Sequence, residues 1–354
     1  MRGEFAMQYL VALAVSKSLG VDAAAYAVGR FRDGVKIADA IEKAAVDATA
    51  ATGTLPGPAA ADFAEFIRPL TLLGRIARLR RIPASTRVIV AASGGATASW
   101  GQGLAVRVSK QTLAGQQFDT LRVAGLSVVT KEHARSELPG AESLIARDVT
   151  GAVVAAMDQA FADPENSGVS NEKPASITNA ATSVASSGST LSAIDSDLEA
   201  MINRLSDAGS NLESAAFIMP TKTALYLSRL RGSGGALAHP QMTWRGGVLL
   251  GLPAYATSGY PDASGSPSTR SIALLDADSV AVVDNNAGSF EVSDRASVLM
   301  TSDADSNMQS NATATGASLV SMFQTESLAI RASRFVNWTT LRDGCVQLLT
   351  NVSY

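Results

Sequence analysis

Residues 142–164 read ESLIARDVTGAVVAAMDQAFADP. Ile145, Val149, Val153, Ala156 and Ala160 recur at helical spacing and form one apolar stripe, supported by Ala152, Met157 and Phe161. Pro139 suits a first helical turn, and Ser136 stands where it can cap the approach. Asp163-Pro164 ends the run, because the residue before a proline avoids the helical region. The pattern predicts a helix over 139–162, roughly 35 Å long. The fold class then depends on what flanks it.

Downstream, residues 165–190 are rich in Ser, Asn, Thr and Ala and read as a loop with little to bury. Leu191, Ile194, Leu198, Met201, Ile202 and Leu205 predict a second amphipathic helix, ended by Gly209. AAFIMP (215–220) is a short buried strand. A third helix, TALYLSRLR, follows, capped by Thr221 or Thr223 and stopped by the glycines of 232–235. GGVLLGLPAYA (246–256) reads as a turn and a strand, and Pro253 predicts a sheet edge for it. Residues 272–283 read as a buried strand pair, and 290–300, 317–335 and 346–352 as three further strand-like runs.

Upstream, residues 1–50 carry Phe5, Tyr9, Ala12, Leu13, Ile37 and Ile41 at helical spacing, with breaks expected at Gly20, Gly29 and Gly34. ATGTLPGPAAA (51–61) is an extended linker. Pro69 and Gly74 argue against one continuous helix over 63–81. Residues 86–100 and 113–130 are the arms of a long β-hairpin whose glycine-containing tip is too small and polar to be core. Helices and strands mix without a regular βαβ order, so the class is α+β.

The 354 residues are 46% hydrophobic and 17% charged, enough apolar matter for a real core and little enough charge for surfaces that desolvate in large interfaces. A net charge of −3 lacks the basic excess of a dedicated nucleic-acid binder. Arg68, Arg75, Arg78, Arg80 and Arg81 cluster as a solvated face or as intersubunit partners. The single cysteine, Cys345, allows no intrachain disulfide and reads as packing. No apolar run is long enough to span a bilayer, and the short stretch 9–15 is not a convincing signal peptide.

Catalytic patterns do not emerge. His133 and His239 have no metal-ligand spacing, no GxSxG elbow presents a serine, and the glycine pairs at 94–95, 234–235 and 246–247 lack a following Lys-Ser/Thr. Glu326 sits in the strand-like SMFQTESLAIRAS, where a buried or interface carboxylate paired to an arginine fits better than a general base. No catalytic residue, metal or cofactor is expected.

Four stretches, taken together and in order, resemble major capsid proteins of tailed bacteriophages of the Hong Kong 97 type. They are ATASW (96–100) with the returning LRVAGLSVVTKEHARSE; the helix 142–164; AAFIMPTKTALYLSRLRGSGG followed by GGVLLGLPAYAT; and SMFQTESLAIRASRFVNW (321–338). The likeness covers about 70–340. It implies a helical N-terminal segment (1–50), an N-terminal arm (51–85) and an extended hairpin loop (86–125). A peripheral domain would be built from 126–190, with the spine helix 139–162, and from 286–354, around an axial domain (191–285). It further implies hexamers and pentamers of the chain in an icosahedral shell around double-stranded DNA held by weak non-specific contact. Portal, scaffold or protease proteins are implied partners, with a decoration protein as an optional one. Assembly would take place in the host cytoplasm and end in the virion, with no membrane involved.

The assembly residues expected on this basis are Trp100, Gln102 and Lys110 in the extended loop, Arg68, Arg75, Arg78 and Arg80 in the arm, and Glu326 and Arg331 in a peripheral strand. Some family members weld subunits through a lysine, an asparagine and a nearby glutamate. Lys110 supplies an amine here, but the other two positions fall near Ser318 and Thr325, so no crosslink is expected. The competing readings are an encapsulin-like nanocompartment shell and, more distantly, a hydrolase or a surface protein.

Overall fold

The computed structural model describes residues 8–9, 12–13, 15–16, 22–31, 33–47, 67–83, 87–93, 112–117, 119–132, 141–210, 212–261, 270–300 and 318–354. Its helices are α1 (Ala23–Arg30), α2 (Gly34–Asp47), α3 (Leu72–Arg75), α4 (Ala141–Ala162), α5 (Leu191–Asp207) and α6 (Thr221–Arg229). Its strands are β1 (Arg80–Ile82), β2 (Arg87–Ser93), β3 (Thr112–Gln117), β4 (Leu121–Thr130), β5 (Thr182–Ala185), β6 (Ala215–Pro220), β7 (Met242–Thr243), β8 (Gly246–Leu249), β9 (Leu252–Thr257), β10 (Arg270–Asp276), β11 (Val280–Ser293), β12 (Ser297–Met300), β13 (Ser318–Ser321), β14 (Ser327–Thr340) and β15 (Val346–Val352). They form a seven-stranded sheet in the order β5-β15-β10-β6-β9-β8-β7, a four-stranded sheet β1-β11-β14-β4, and the pairs β2-β3 and β12-β13.

The chain divides into two compact units. The first comprises Met1–Ile67, Val123–Val153 and Asn286–Arg334. In it α1 packs on α2, burying Ala24, Ala27 and Ile37, and the Asp22 side chain caps α1 by accepting from the Ala24 N–H at 3.3 Å. Elsewhere in this unit Lys131 pairs with Asp294 at 3.5 Å, and its N–H donates to the Glu326 carbonyl at 2.8 Å.

The second unit comprises Arg68–Arg122, Val154–Asn285 and Phe335–Tyr354, and is organised by the seven-stranded sheet. Alternate residues of β6, Ala215, Phe217 and Met219, join one core cluster with Ile194, Leu198, Met201 and Leu205 of α5 and Ala224 and Leu227 of α6. Both helices therefore lie on the same face of the sheet. Ala216 and Ile218, which point the other way, are buried too, which explains why AAFIMP is a continuous apolar run without alternation. Thr190 caps α5 by accepting from the Ala193 N–H at 3.3 Å. Gly209 closes α5 in a Schellman turn, with its N–H on the Ser206 carbonyl and that of Ser210 on the Leu205 carbonyl.

Several sequence expectations are corrected. The long helix is described over Ala141–Ala162, its expected start at 139–140 lying outside the described residues; from 148 onward its buried side is Val149, Val153, Met157, Ala160 and Phe161, while Ala152 and Ala156 face solvent. Residues 165–190 do bury side chains and include strand β5, parallel to β15. Their polar side chains serve the last carbonyls of α4. The Asn166 amide donates to the Ala160 carbonyl at 2.9 Å, the Ser176 hydroxyl to Phe161 at 2.8 Å and the Thr178 hydroxyl to Ala162 at 3.0 Å. Helix ends leave such carbonyls without intrahelical partners, and a Ser/Asn/Thr-rich composition satisfies them as readily as it makes a solvated loop.

Pro253 does not mark an edge: β9 runs between β6 and β8, with Pro253 opposite Val248. The two buried strands expected over 272–283 are present as β10 and β11 but do not pair with each other, entering different sheets across a 3-10 turn, Ala277–Ser279. Gly29 lies inside α1, and the break falls after Arg30. Neither threonine caps α6: Pro220 is the N-cap residue, without a side-chain bond, and the Thr223 hydroxyl donates to the Tyr354 carbonyl at 3.1 Å. Glu326 is not in a strand. It stands exposed in the turn between β13 and β14, at φ +48°.

Candidate assembly surfaces

Residues 67–83 fold back on their own chain. The Thr71 hydroxyl caps α3 by accepting from the Gly74 N–H at 3.3 Å, and Leu72, Leu73, Ile76 and Leu79 are buried. The N–H of Leu72 donates to the Asp158 carboxylate of α4 at 2.8 Å, and the Thr257 hydroxyl donates to the other oxygen of that carboxylate at 2.8 Å. Burial pushes the Asp158 pKa up, partly offset by those two donors and by the nearby Arg75 charge.

The arginines expected at an intersubunit face are also engaged within the second unit. Arg68 and Arg81 both reach the nearly buried carboxylate of Asp284, at 3.5 and 3.6 Å. Arg75 donates to the carbonyls of Ala256 at 2.8 Å and Arg245 at 3.1 Å, and its guanidinium lies 5.8 Å from the centre of the Tyr255 ring. Arg78 donates to the Glu213 carbonyl at 3.0 Å and pairs with its carboxylate at 3.7 Å. Arg80 is exposed on β1. These contacts give Arg68, Arg75 and Arg78 a part in fastening the segment to its own chain.

The hairpin exists as β2 paired antiparallel with β3, Arg87 opposite Gln117 and Val90 opposite Ala114. β4, taken from sequence as part of the returning arm, belongs instead to the four-stranded sheet. The tip, with Trp100, Gln102 and Lys110, lies outside the described residues, as does His133. In the first unit Arg331 of β14 pairs with Glu291 at 3.6 Å, while the Glu326 carboxylate points into solvent two residues after Gln324. The structure does not bring Glu326 and Arg331 together as one ion pair.

Sequence reasoning missed the buried acids of the second unit. Asp197 accepts from the Ser186 and Ser187 hydroxyls at 3.0 and 2.7 Å and from the Ser187 N–H at 2.9 Å. Asp276 takes the hydroxyls of Ser214 and Ser279 and the Arg342 guanidinium at 3.0 Å. Asp158 lies beside Met157 at the border of the apolar stripe, and an acid in that place was the available signal. Asp158 and Asp276 hold segments distant in sequence, and Asp197 holds the turn just before its own helix. Among the described residues no group of three or more His, Cys, Asp or Glu could hold a metal ion. Cys345 is buried, and burial pushes its thiol up to about 11, where a nucleophilic thiolate is scarce. No described helix is long and apolar enough to cross a membrane.

The fold matches chains of solved phage structures. The subunit of Mycobacterium phage Ogopogo superposes with a TM-score of 0.57 at 15% identity, covering 79% of this chain and 91% of that one. That of Mycobacterium phage Adephagia gives 0.53 at 14%, covering 77% and 87%. The architecture is the Hong Kong 97-type capsid fold expected from sequence. Among curated relatives, the "Capsid polyprotein" of Pseudomonas phage PAJU2 is 32% identical over 327 residues, 89% of this chain and 48% of that protein. The "Major capsid protein" of Klebsiella oxytoca phage phiKO2 is 26% identical over 258 residues, 67% of this chain and 58% of that protein. The chain thus spans about half the length of the curated relatives it matches. The phage capsid family itself is matched over residues 53–344, and the chain belongs to that family.

Proposed function

We propose that this chain is a major capsid protein that assembles with copies of itself, as hexamers and pentamers, into the icosahedral shell of a tailed phage or prophage. The observation that carries the reading is family membership across most of the chain, joined to a fold shared with phage capsid subunits. Its work is geometric. A subunit gains a little from each contact, and a closed shell multiplies those contacts. No reaction is assigned to it.

In this reading, residues 86–125 are the extended loop laid over a neighbouring subunit, with Trp100, Gln102 and Lys110 in that contact. Residues 126–190 and 286–354 are the peripheral domain, with Glu326 and Arg331 at its rim, and 191–285 are the axial domain at five- and six-fold centres. Of the arm, 51–85, residues 67–83 anchor it to its own subunit, and Arg80 is the arginine left facing outward. The net charge of −3 suits a container that holds double-stranded DNA by confinement, because counterion release from phosphates needs a basic excess. Portal, scaffold or protease proteins, and a decoration protein where one exists, are its proposed partners. Assembly in the host cytoplasm and residence in the virion follow from the same reading.

Sedimentation velocity over a concentration series tests it. Discrete fast species that grow with concentration support shell building, and a single slow boundary at every concentration overturns it.

A further inference from the structure

The two flanks of the second unit's large sheet differ in chemistry. Residues 214–261 contain no Asp or Glu, but carry Lys222, Arg229, Arg231 and Arg245. They supply β6, α6, β9, β8 and the edge strand β7. On the same face, α5 packs over β10 and β15, toward the opposite edge, and carries Asp195, Asp197, Glu199 and Asp207 against Arg204 alone. Asp197 is buried and used within the chain. Asp195, with a side chain 49% exposed, and Glu199, exposed, stand one turn apart on α5. Like charges at that spacing oppose the helix and are relieved by an outside cation. Within the chain the Nε2 of His239 comes only to 3.9 Å of Asp195, and no described cation pairs with Glu199.

The β7 flank ends in a two-residue hairpin turn, Trp244-Arg245, between the paired Thr243 and Gly246. Such tips ordinarily carry Gly, Asn or Asp. Here Gly246 and Gly247, at φ +108° and +154°, take the unusual backbone, and the tip is left to two large side chains that the turn does not need. Trp244 is 51% exposed, and the Arg245 guanidinium lies 4.5 Å from the centre of its ring. The Arg75 guanidinium holds the Arg245 carbonyl, so the tip is fixed before any partner arrives. Trp and Arg are the residue types that most often anchor protein interfaces, and a preformed tip loses little freedom on docking.

We infer that the Trp244-Arg245 tip of one copy docks on the α5 flank of the next. Arg245 sits between Asp195 and Glu199, and Trp244 lies against the exposed ring of Tyr226, whose hydroxyl donates to the Ser189 carbonyl just before α5. The inference rests on the shell-building reading and names one contact within its rings. The two patches differ, so the contact is heterologous and repeats head to tail until a ring closes. The carboxylates opposite the tip, and exposed Val248 beside it, favour a second copy over nucleic acid.

Arg245→Glu and Glu199→Arg test it, each alone and mixed in equal amounts, with sedimentation velocity and electron microscopy beside the parent. The Arg245 guanidinium lies over the Trp244 ring, and near-ultraviolet circular dichroism checks that both variants fold. Each variant alone is expected to lose the parent's assembled species. The mixture is expected to regain six-membered rings, because in an alternating ring of six every junction again pairs Glu with Arg, whereas a ring of five cannot alternate and stays depleted. Variants that assemble as the parent does, or a mixture that stays dissociated, overturn the inference and leave the shell reading standing. Variants that assemble normally but retain less DNA assign the tip to nucleic acid and also overturn it. A parent that never assembles is a separate result, which overturns the shell reading and this contact with it.

Discussion

Asp158 in α4 and Leu72 in α3 are joined by a 2.8 Å hydrogen bond from the backbone N–H to the buried carboxylate. That bond, with the one from Thr257, ties the segment before β1 to the long helix and to the end of β9. Asp158→Ala leaves a buried N–H and hydroxyl unpaired, and should lower unfolding free energy by about 2–4 kcal/mol. Denaturant midpoints of variant and parent measure it. Asp158→Asn, which keeps one acceptor, should cost less.

The same carboxylate gives a pH signature. Burial raises its pKa above the ordinary 3.8, so the folded chain binds this proton more tightly than the unfolded chain does. Through the window between the two values the folded state holds more protons, and this group's contribution to stability falls as pH rises. Above the window the group is charged in both states and adds no slope. Unfolding curves taken at a series of pH values should show that slope in the parent and its loss in Asp158→Asn.

Gly74 carries the tightest approach in the segment: a Cβ built there would stand 1.6 Å from the Arg68 carbonyl oxygen. Gly74→Ala must shift the backbone, at about 1–3 kcal/mol for overpacking of this kind. The local consequence is release of 67–83, read as faster tryptic cleavage at Arg75 and Arg78 in the variant than in the parent.

The end of α4 depends on Asn166, whose amide donates to the carbonyls of Ala160 and Pro174 and whose Oδ1 accepts from the Gly168 N–H. Asn166→Ala removes all three bonds and should destabilise by about 2 kcal/mol. Hydrogen exchange should show the loss first in the last turn of the helix. Equal protection there in variant and parent would contradict this assignment.

Cys345, buried and with its thiol pushed up to about 11, should not react with a thiol reagent in the folded chain. At pH 8 only about one such thiol in a thousand is ionised. Full reaction is expected once denaturant is added, and rapid reaction without it would contradict the packing role. A boiled denaturing gel should likewise show single chains and no covalent ladder, as expected from the sequence.

Elements whose apolar pattern matches one period were legible in the sequence. AAFIMP is β6, residues 346–352 are β15, and the stripe Ile194–Leu198–Met201–Leu205 is α5. What stayed hidden was the work of polar residues. Asn166, Ser176 and Thr178 look like loop composition until the carbonyls of α4 are in view, and Asp158 is one acid in an alanine-rich helix until Leu72 and Thr257 close on it. Pro253 misled because proline can sit inside a sheet where its missing N–H is not called upon, and Glu326 because a strand-like alternation runs straight through a turn. The arm arginines carried charge in the sequence, but only the fold set Asp284 and Glu213 opposite them.

The central claim is that this chain builds closed shells from copies of itself, and electron micrographs of the purified protein test it most directly. The account predicts closed particles, or rings of five and six subunits. Monodisperse single subunits at every concentration and salt condition tried would contradict it.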